Sequence, residues 1–115
     1  MAKKYYLART IRDGFVYARG DAFDVDIEGL ALVRLDEYKD LDFKGDWAII
    51  DVATGLKVFA NHSRKKLLEY YTMRDFEGLK LAIEKARLTE NYKKRLEEAK
   101  IEKKNWRESG YRMED

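Results

Sequence analysis

The amino-acid sequence predicts an α+β fold, with an antiparallel sheet of about five strands in residues 4–60 followed by two or three helices in residues 62–107. Nine of the eleven aspartates precede residue 61, whereas nine of the eleven glutamates follow it, and five of the seven glycines lie in the first part. Aspartate and glycine favour turns, while glutamate is well tolerated inside helices. The first half therefore has the composition of strands and turns, and the second half that of helices.

The length of 115 residues suits a single domain, 1–115, in which residues 108–115 are expected to fray because they have little to bury. Residues 1–60 carry nine basic and eleven acidic side chains, and residues 61–115 carry fifteen and eleven, so the formal net charge is only +2. The absence of cysteine excludes a disulfide framework, a thiolate zinc site and a cysteine nucleophile. We therefore expect no cofactor and no metal site. No segment resembles a signal peptide or a membrane-spanning helix, so a cytoplasmic protein is expected.

The first hairpin is predicted from residues 4–11 and 15–19, which flank the Asp-Gly pair at 13–14. Asp-Gly is a strong signal for a two-residue type I′ turn, because that turn needs a positive φ at both central residues. This register places Thr10 opposite Tyr17.

The side of this hairpin that carries aromatic rings and arginines is the predicted binding surface. Its members are Tyr6, Arg12, Phe15, Tyr17 and Arg19. Aromatic rings stack on bases or fill pockets, and arginines bind phosphates or carboxylates. The structural alternative is that helices cover this face and the rings belong to the core. One layer of helices covers one side of a sheet, so we expect an aromatic patch to remain exposed.

Two further strands are predicted between the hairpins. Residues 22–28 alternate apolar and acidic side chains, which is typical of a half-buried strand. Residues 30–35 are apolar except for Arg34 and indicate a more central strand.

A second hairpin is predicted from residues 47–52 and 56–60 around the loop 53–55, whose glycine can take the left-handed conformation. This register places Asp51 opposite Lys57, as a cross-strand ion pair. Three large apolar side chains share one of its faces, Trp47, Ile49 and Phe59.

The helical half contains three possible helix starts. Asn61 or Ser63 can cap the first helix, residues 72–75 offer a second start, and the apolar stripe changes phase near Thr89. We favour a break at Thr89, which gives a helical hairpin.

Three carboxylates, Asp24, Asp26 and Glu28, project at two-residue spacing in the predicted strand 22–28. Carboxylate clusters bind Mg²⁺, which makes a metal-dependent nuclease a distant third hypothesis, but a solvated strand face gives the same pattern. His62, the one histidine, is expected near a helix start, without the partners that a metal site or a general base needs.

A secondary basic patch is predicted at the start of the first helix, formed by Arg64, Lys65 and Lys66. Glutamates interleave the basic residues of the later helices, so a solvated, ion-paired helix face is the alternative interpretation.

The hairpin in residues 47–59, with its Thr54-Gly55 turn, and the basic helix start at 64–66 resemble in general build the small accessory proteins of bacteriophages and mobile elements. These proteins include inhibitors of host defence such as anti-CRISPR proteins. The resemblance implies an inhibitor that binds a host protein, and it assigns no functional residue to this chain.

The leading hypothesis is a small non-enzymatic binding protein that blocks a host defence protein or sequesters a small ligand. Tyr6, Phe15 and Tyr17 would anchor the contact, and Arg12 and Arg19 would orient it. The alternative is a nucleic-acid-binding accessory factor that uses the same face and the secondary basic patch. A host protein is the expected partner, nucleic acid and a homodimer stay open, and no membrane contact is expected.

Overall fold

A computed structural model describes residues 4–10, 14–23, 25–35, 47–73 and 75–115 of the chain. The five strands are β1 (Tyr5–Thr10), β2 (Gly14–Gly20), β3 (Leu30–Arg34), β4 (Trp47–Asp51) and β5 (Lys57–Asn61). The three helices are α1 (Arg64–Met73), α2 (Phe76–Ala86) and α3 (Glu90–Glu108). The strands form one antiparallel sheet in the order β1-β2-β3-β4-β5, so the predicted α+β fold is confirmed. Within the described ranges, no helix is long and apolar enough to cross a membrane.

The helices pack on one face of the sheet, which we call the helix face. Residues paired across antiparallel strands point to the same side of a sheet. The ladder therefore places Leu32, Ile49 and Phe59 in one row on this face. Leu67 and Tyr71 of α1 are buried against this row.

The helices α2 and α3 complete the layer on the helix face. Leu79 and Ile83 of α2 pack against the same core cluster as α1. The ring of Trp106 in α3 stacks on Tyr17 of β2, with ring centroids 5.8 Å apart. Ala99 of α3 is fully buried.

The opposite face carries a second cluster of mostly small apolar side chains, and all of them are at most 2% exposed. They are Ala8, Val16, Ala18, Val33, Leu35, Ala48 and Ile50. The sheet curls around this cluster, because the Arg9 N–H of β1 donates to the Gly55 carbonyl in the β4–β5 turn at 2.9 Å. Gly55 has a φ of +77°, and a Cβ there would lie 2.7 Å from the Leu7 carbonyl oxygen. The helix-free face is therefore buried, and the exposed aromatic patch expected there is not found among the described residues.

The register of the first hairpin differs from the predicted one. Thr10 lies opposite Gly14 and Leu7 opposite Tyr17, so the predicted pairing of Thr10 with Tyr17 is wrong. Residues 11–13, which include Arg12, lie outside the described residues. Gly14 has a φ of +73° and stands as the first residue of β2.

This change of register moves one strand's side chains to the other face, because side chains alternate along a strand. Tyr6 pairs with Ala18 on the face of the small cluster, whereas Tyr5 pairs with Arg19 on the helix face. The observed register places small residues inside the curled sheet and brings the aromatic rings of β2 into contact with α3. The sequence of the hairpin alone does not specify this register.

The predicted strand 22–28 is wrong for its described residues, which lie in a loop. The Asp21 carboxylate accepts a hydrogen bond from the Phe23 N–H at 2.9 Å, and Ile27 accepts one from the Leu30 N–H at 3.3 Å. Such local bonds compete with strand pairing. The alternation of apolar and acidic residues still reflects burial, because the apolar Phe23 and Ile27 pack in the core beneath the helices.

The second hairpin follows the predicted register only near its open end. Ile49 lies opposite Phe59, but the ladder shifts between Ile49 and Ile50, so Lys57 pairs with Ile50. The predicted Asp51–Lys57 pair is therefore wrong.

The predicted helix boundaries at Ser63 and Thr89 are confirmed. The Ser63 hydroxyl accepts the Lys66 N–H at 3.3 Å, and the Thr89 side chain accepts the Tyr92 N–H at 3.1 Å. Each bond satisfies a backbone donor in the first turn of its helix.

Candidate binding surface

A row of five half-buried side chains crosses the helix face at the end of the sheet where α1 begins. The ladder takes one residue of the row from each strand, in the order Tyr5, Arg19, Arg34, Trp47 and Asn61. Two arginines therefore stand directly opposite each other on β2 and β3. They lie between a tyrosine on one side and a tryptophan on the other.

A third guanidinium group reaches this row from α1. The Cζ atom of Arg64 lies 5.9 Å from the centre of the Trp47 ring, and that of Arg34 lies 5.2 Å from it. Both distances lie within the range of cation–π attraction. We call Arg19, Arg34, Arg64 and Trp47 the arginine cluster.

Asp21 forms an ion pair with Arg64 of the arginine cluster. Its carboxylate accepts from Arg64 Nη2 at 2.9 Å and Nε at 3.3 Å, which gives a two-pronged contact. The hydrogen bonds from Arg64 lower the pKa of Asp21, against the opposing effect of burial. This contact joins the loop after β2 to the first turn of α1.

An aromatic cluster adjoins the arginine cluster through Tyr5, which is the cross-strand neighbour of Arg19. The ring centroid of Tyr17 lies 4.7 Å from Tyr5, 5.8 Å from Trp106 and 5.1 Å from Tyr111. We call Tyr5, Tyr17, Trp106 and Tyr111 the aromatic cluster. Its rings stack or meet edge to face, as aromatic side chains prefer.

The residues predicted for the binding surface do not all lie together. Phe15, Tyr17 and Arg19 share the helix face, whereas Tyr6 lies on the opposite face, where it packs against the small apolar cluster. Burial raises the pKa of Tyr6, and the carboxylate of Glu114 raises it further.

Phe15 is covered by a neighbouring arginine. The guanidinium of Arg9 lies 4.4 Å from the Phe15 ring centre and donates to Glu98 at 3.2 Å and to the Arg95 carbonyl at 2.7 Å. These contacts tie β1 to α3 and leave Phe15 beneath an ion pair.

Arg64, Lys65 and Lys66, the residues of the predicted secondary basic patch, are the first three residues of α1. Lys65 and Lys66 are exposed, and Arg64 turns towards Trp47. Arg64 reaches Trp47, which is paired with Arg34, and Arg34 is paired with Arg19, so residues of the two predicted surfaces lie near each other.

Sequence reasoning missed Arg34 and Trp47 as members of this surface. Arg34 is the one polar residue in the apolar run 30–35, which is a signal that a sequence reader can find. The alignment of Arg34 with Arg19 depends on the pairing of β2 with β3. Nine residues separate these strands in the sequence, and no local sequence pattern indicates how the strands pair.

The carboxylates predicted for a nuclease do not form a described metal site. Asp26 accepts the hydroxyl of Tyr71, whose pKa is raised by burial and by this carboxylate. Glu28 is exposed, and Asp24 lies outside the described residues. Among the residues that the structure describes, no group of three or more histidines, aspartates or glutamates could hold a metal ion. His62 is exposed beside the start of α1.

Comparison with known proteins does not extend this picture. No protein-family model, curated protein or solved structure matches the chain.

Proposed function

We propose that the protein is a non-enzymatic binding protein that occupies an acidic surface of a larger protein through its arginine cluster. The observation that carries this proposal is the direct cross-strand pairing of Arg19 with Arg34, beside a tryptophan that also contacts Arg64. The partner expected from the resemblance to inhibitors of host defence is a defence protein of the host. Occupying its surface would be sufficient for inhibition, with no chemical step.

Like charges that stand directly opposite each other on neighbouring strands destabilise a sheet. Guanidinium groups also bind carboxylates with two parallel hydrogen bonds, so a carboxylate-bearing partner suits a surface that presents Arg19 and Arg34. Tryptophan and arginine are also the residue types that dominate binding energy at protein interfaces. The half-buried Trp47 is held in place by its neighbours, so little side-chain entropy is lost when it makes a contact.

The test is affinity capture from the native host with matched variants. We expect the wild-type chain to retain a host protein and Arg19→Glu to lose it. Lys80→Glu makes the same charge change on the exposed surface of α2 and serves as the control. Equal capture by wild type and Arg19→Glu, with both chains folded by circular dichroism, would overturn the arginine cluster as the contact.

A second candidate partner is a single-stranded nucleic acid. It is favoured by the proximity of Trp47 to Arg64 and to the exposed Lys65 and Lys66. Aromatic rings stack on bases, while basic side chains neutralise phosphates. Nucleic-acid binding predicts affinity for mixed-sequence oligonucleotides that falls steeply between 50 and 200 mM salt, on the order of 10-fold or more. Fluorescence anisotropy that stays flat, or does not respond to salt, excludes this candidate.

A further inference from the structure

The segment Tyr111–Asp115 returns from the end of α3 to the outer edge of β1. The turn is made at Gly110, which has a φ of +96°, and the Tyr111 N–H donates to the Trp106 carbonyl at 3.0 Å. The Glu114 N–H then donates to the Tyr5 carbonyl of β1 at 2.7 Å. The segment thus lies beside an edge strand in the way that an added peptide strand does.

The side chains along this segment contact a defined set of groups. The Tyr111 ring lies 5.1 Å from Tyr17 and 5.0 Å from Trp106 by centroid. The Tyr17 hydroxyl donates to the Arg112 carbonyl at 2.5 Å. The surface of β1, β2 and α3 therefore offers aromatic contacts, a hydroxyl donor and a backbone acceptor.

Basic groups surround the acidic end of the segment. Arg107 donates to Asp115 at 2.5 Å and to the Met113 carbonyl at 3.0 Å. The charge of Asp115 also acts on the amine of Lys103, where it opposes the lowering of the lysine pKa by burial. The positive charges of Arg107 and Lys103 at this end favour an acidic side chain three or four residues after Tyr111.

These contacts hold the segment only lightly. Tyr111 is 48% exposed, and the side chains of Arg107 and Asp115 are 41% and 87% exposed. Ion pairs between exposed side chains contribute little to stability. A single backbone hydrogen bond joins the segment to β1 among the described residues.

We propose that this surface is a docking site for an extended peptide of a partner protein, and that the segment Tyr111–Asp115 is a strap that occupies it in the free chain. The partner peptide carries an aromatic side chain followed three or four residues later by a carboxylate. It replaces the strap by making the same contacts with Tyr17, Trp106 and Arg107. The site is continuous with the arginine cluster through Tyr5 and Arg19, but it does not depend on the partner proposed for that cluster.

The experiment adds a labelled peptide of residues 110–115 to the full-length chain and measures binding by fluorescence anisotropy. A tethered strap competes at an effective concentration in the millimolar range, so wild type should bind the peptide weakly. Tyr111→Ala removes the aromatic contact of the strap and should strengthen peptide binding by about 10-fold or more. A peptide that carries Tyr111→Ala should bind neither chain.

The control is Tyr70→Ala, which removes an exposed tyrosine from α1 and should leave peptide binding at the wild-type level. Equal binding of the peptide by wild type and Tyr111→Ala, or no binding to either, overturns the proposal. Should Tyr111→Ala fail to fold, hydrogen exchange on the wild-type chain decides. We expect the Glu114 amide to exchange at least about 100-fold faster than amides in the β1–β2 ladder, because the strap opens without global unfolding. Equal protection of these amides shows that the segment is a permanent part of the fold.

Discussion

The Tyr92 hydroxyl of α3 donates a hydrogen bond to the buried carboxylate of Asp51 in β4 at 2.9 Å. The same carboxylate accepts from the Thr54 hydroxyl at 2.6 Å and from Arg87 at 3.0 Å, and Asp51 is only 6% exposed. This cluster joins the end of β4, the β4–β5 turn and both ends of the α2–α3 connection. The cluster explains why Asp51 does not pair with Lys57, because the Asp51 carboxylate already accepts hydrogen bonds from Arg87 and from Tyr92 of α3.

Tyr92→Phe should lower the free energy of unfolding by about 1–2 kcal/mol, because it removes one hydrogen bond to a charged acceptor. Urea denaturation measures the change. Tyr70→Phe is the matched control, since Tyr70 is 57% exposed and should stay within about 0.5 kcal/mol of wild type. A Tyr92→Phe chain as stable as wild type would show that the bond contributes nothing net.

The stability contributed by Tyr92 should disappear at alkaline pH. Burial, followed by the Asp51 carboxylate, raises the pKa of Tyr92 from 10.0 to about 12 in the folded chain. A group whose pKa is raised by folding stabilises fully below its unfolded pKa, and this contribution is lost as the pH rises through the folded pKa. The stability difference between wild type and Tyr92→Phe should therefore be constant up to about pH 10 and shrink towards pH 12. A difference that grows with pH would contradict the assigned direction.

Gly55→Ala should destabilise the chain more than Gly14→Ala does. Both glycines have a positive φ, which costs other residues about 1 kcal/mol or more. Only at Gly55 would a Cβ also meet backbone, 2.7 Å from the Leu7 carbonyl oxygen, whereas at Gly14 nothing lies within 4 Å. Thermal melting of both variants separates backbone strain from the close approach of β1, and equal losses would mean that the sheet can open at this point.

Asp21→Asn should reduce stability near neutral pH and have less effect in acid. Hydrogen bonds from Arg64 lower the pKa of Asp21 in the folded chain. The resulting stabilisation is present above the unfolded pKa of about 3.9 and is lost as the pH falls through the lower, folded value. The gap between the denaturant curves of the two chains should begin to close below about pH 4 and close further as the pH falls through the folded pKa. A gap that widens in acid would contradict the lowered pKa.

The sequence predicts those parts of this fold that depend on local chemistry. The capping residues Ser63 and Thr89 set helix boundaries because their hydroxyls act within one turn of the backbone. The first hairpin's register could not be predicted, because it depends on which side chains fit inside the curl and which fit beneath α3. An Asp-Gly pair indicates a turn, but tertiary packing moved Gly14 from the turn into the first position of β2.

The candidate surface shows the same division between local and long-range information. The rings and arginines of β2 were recognisable from residue types alone. Their neighbours were not, because Arg34 and Trp47 join Arg19 through ladders between separate strands. The strap residue Tyr111 lies more than ninety positions from Tyr17 and reaches it only because α3 crosses back over β1 and β2.

Arg19→Gln should make the free chain more stable while weakening its proposed contact. Arg19 stands directly opposite Arg34, and no acid among the described residues pairs with Arg19. Removing one of two like charges on neighbouring strands should raise the free energy of unfolding by about 0.2–1 kcal/mol. Lys80→Gln, which removes an exposed charge on α2, should change the free energy of unfolding by less.

If Arg19 is kept for binding at a cost in stability, Arg19→Gln should raise the free energy of unfolding measured by urea denaturation and lower the amount of partner that is captured. If Arg19→Gln is less stable than wild type, Arg19 serves the fold, and the arginine cluster loses its main support as a binding surface.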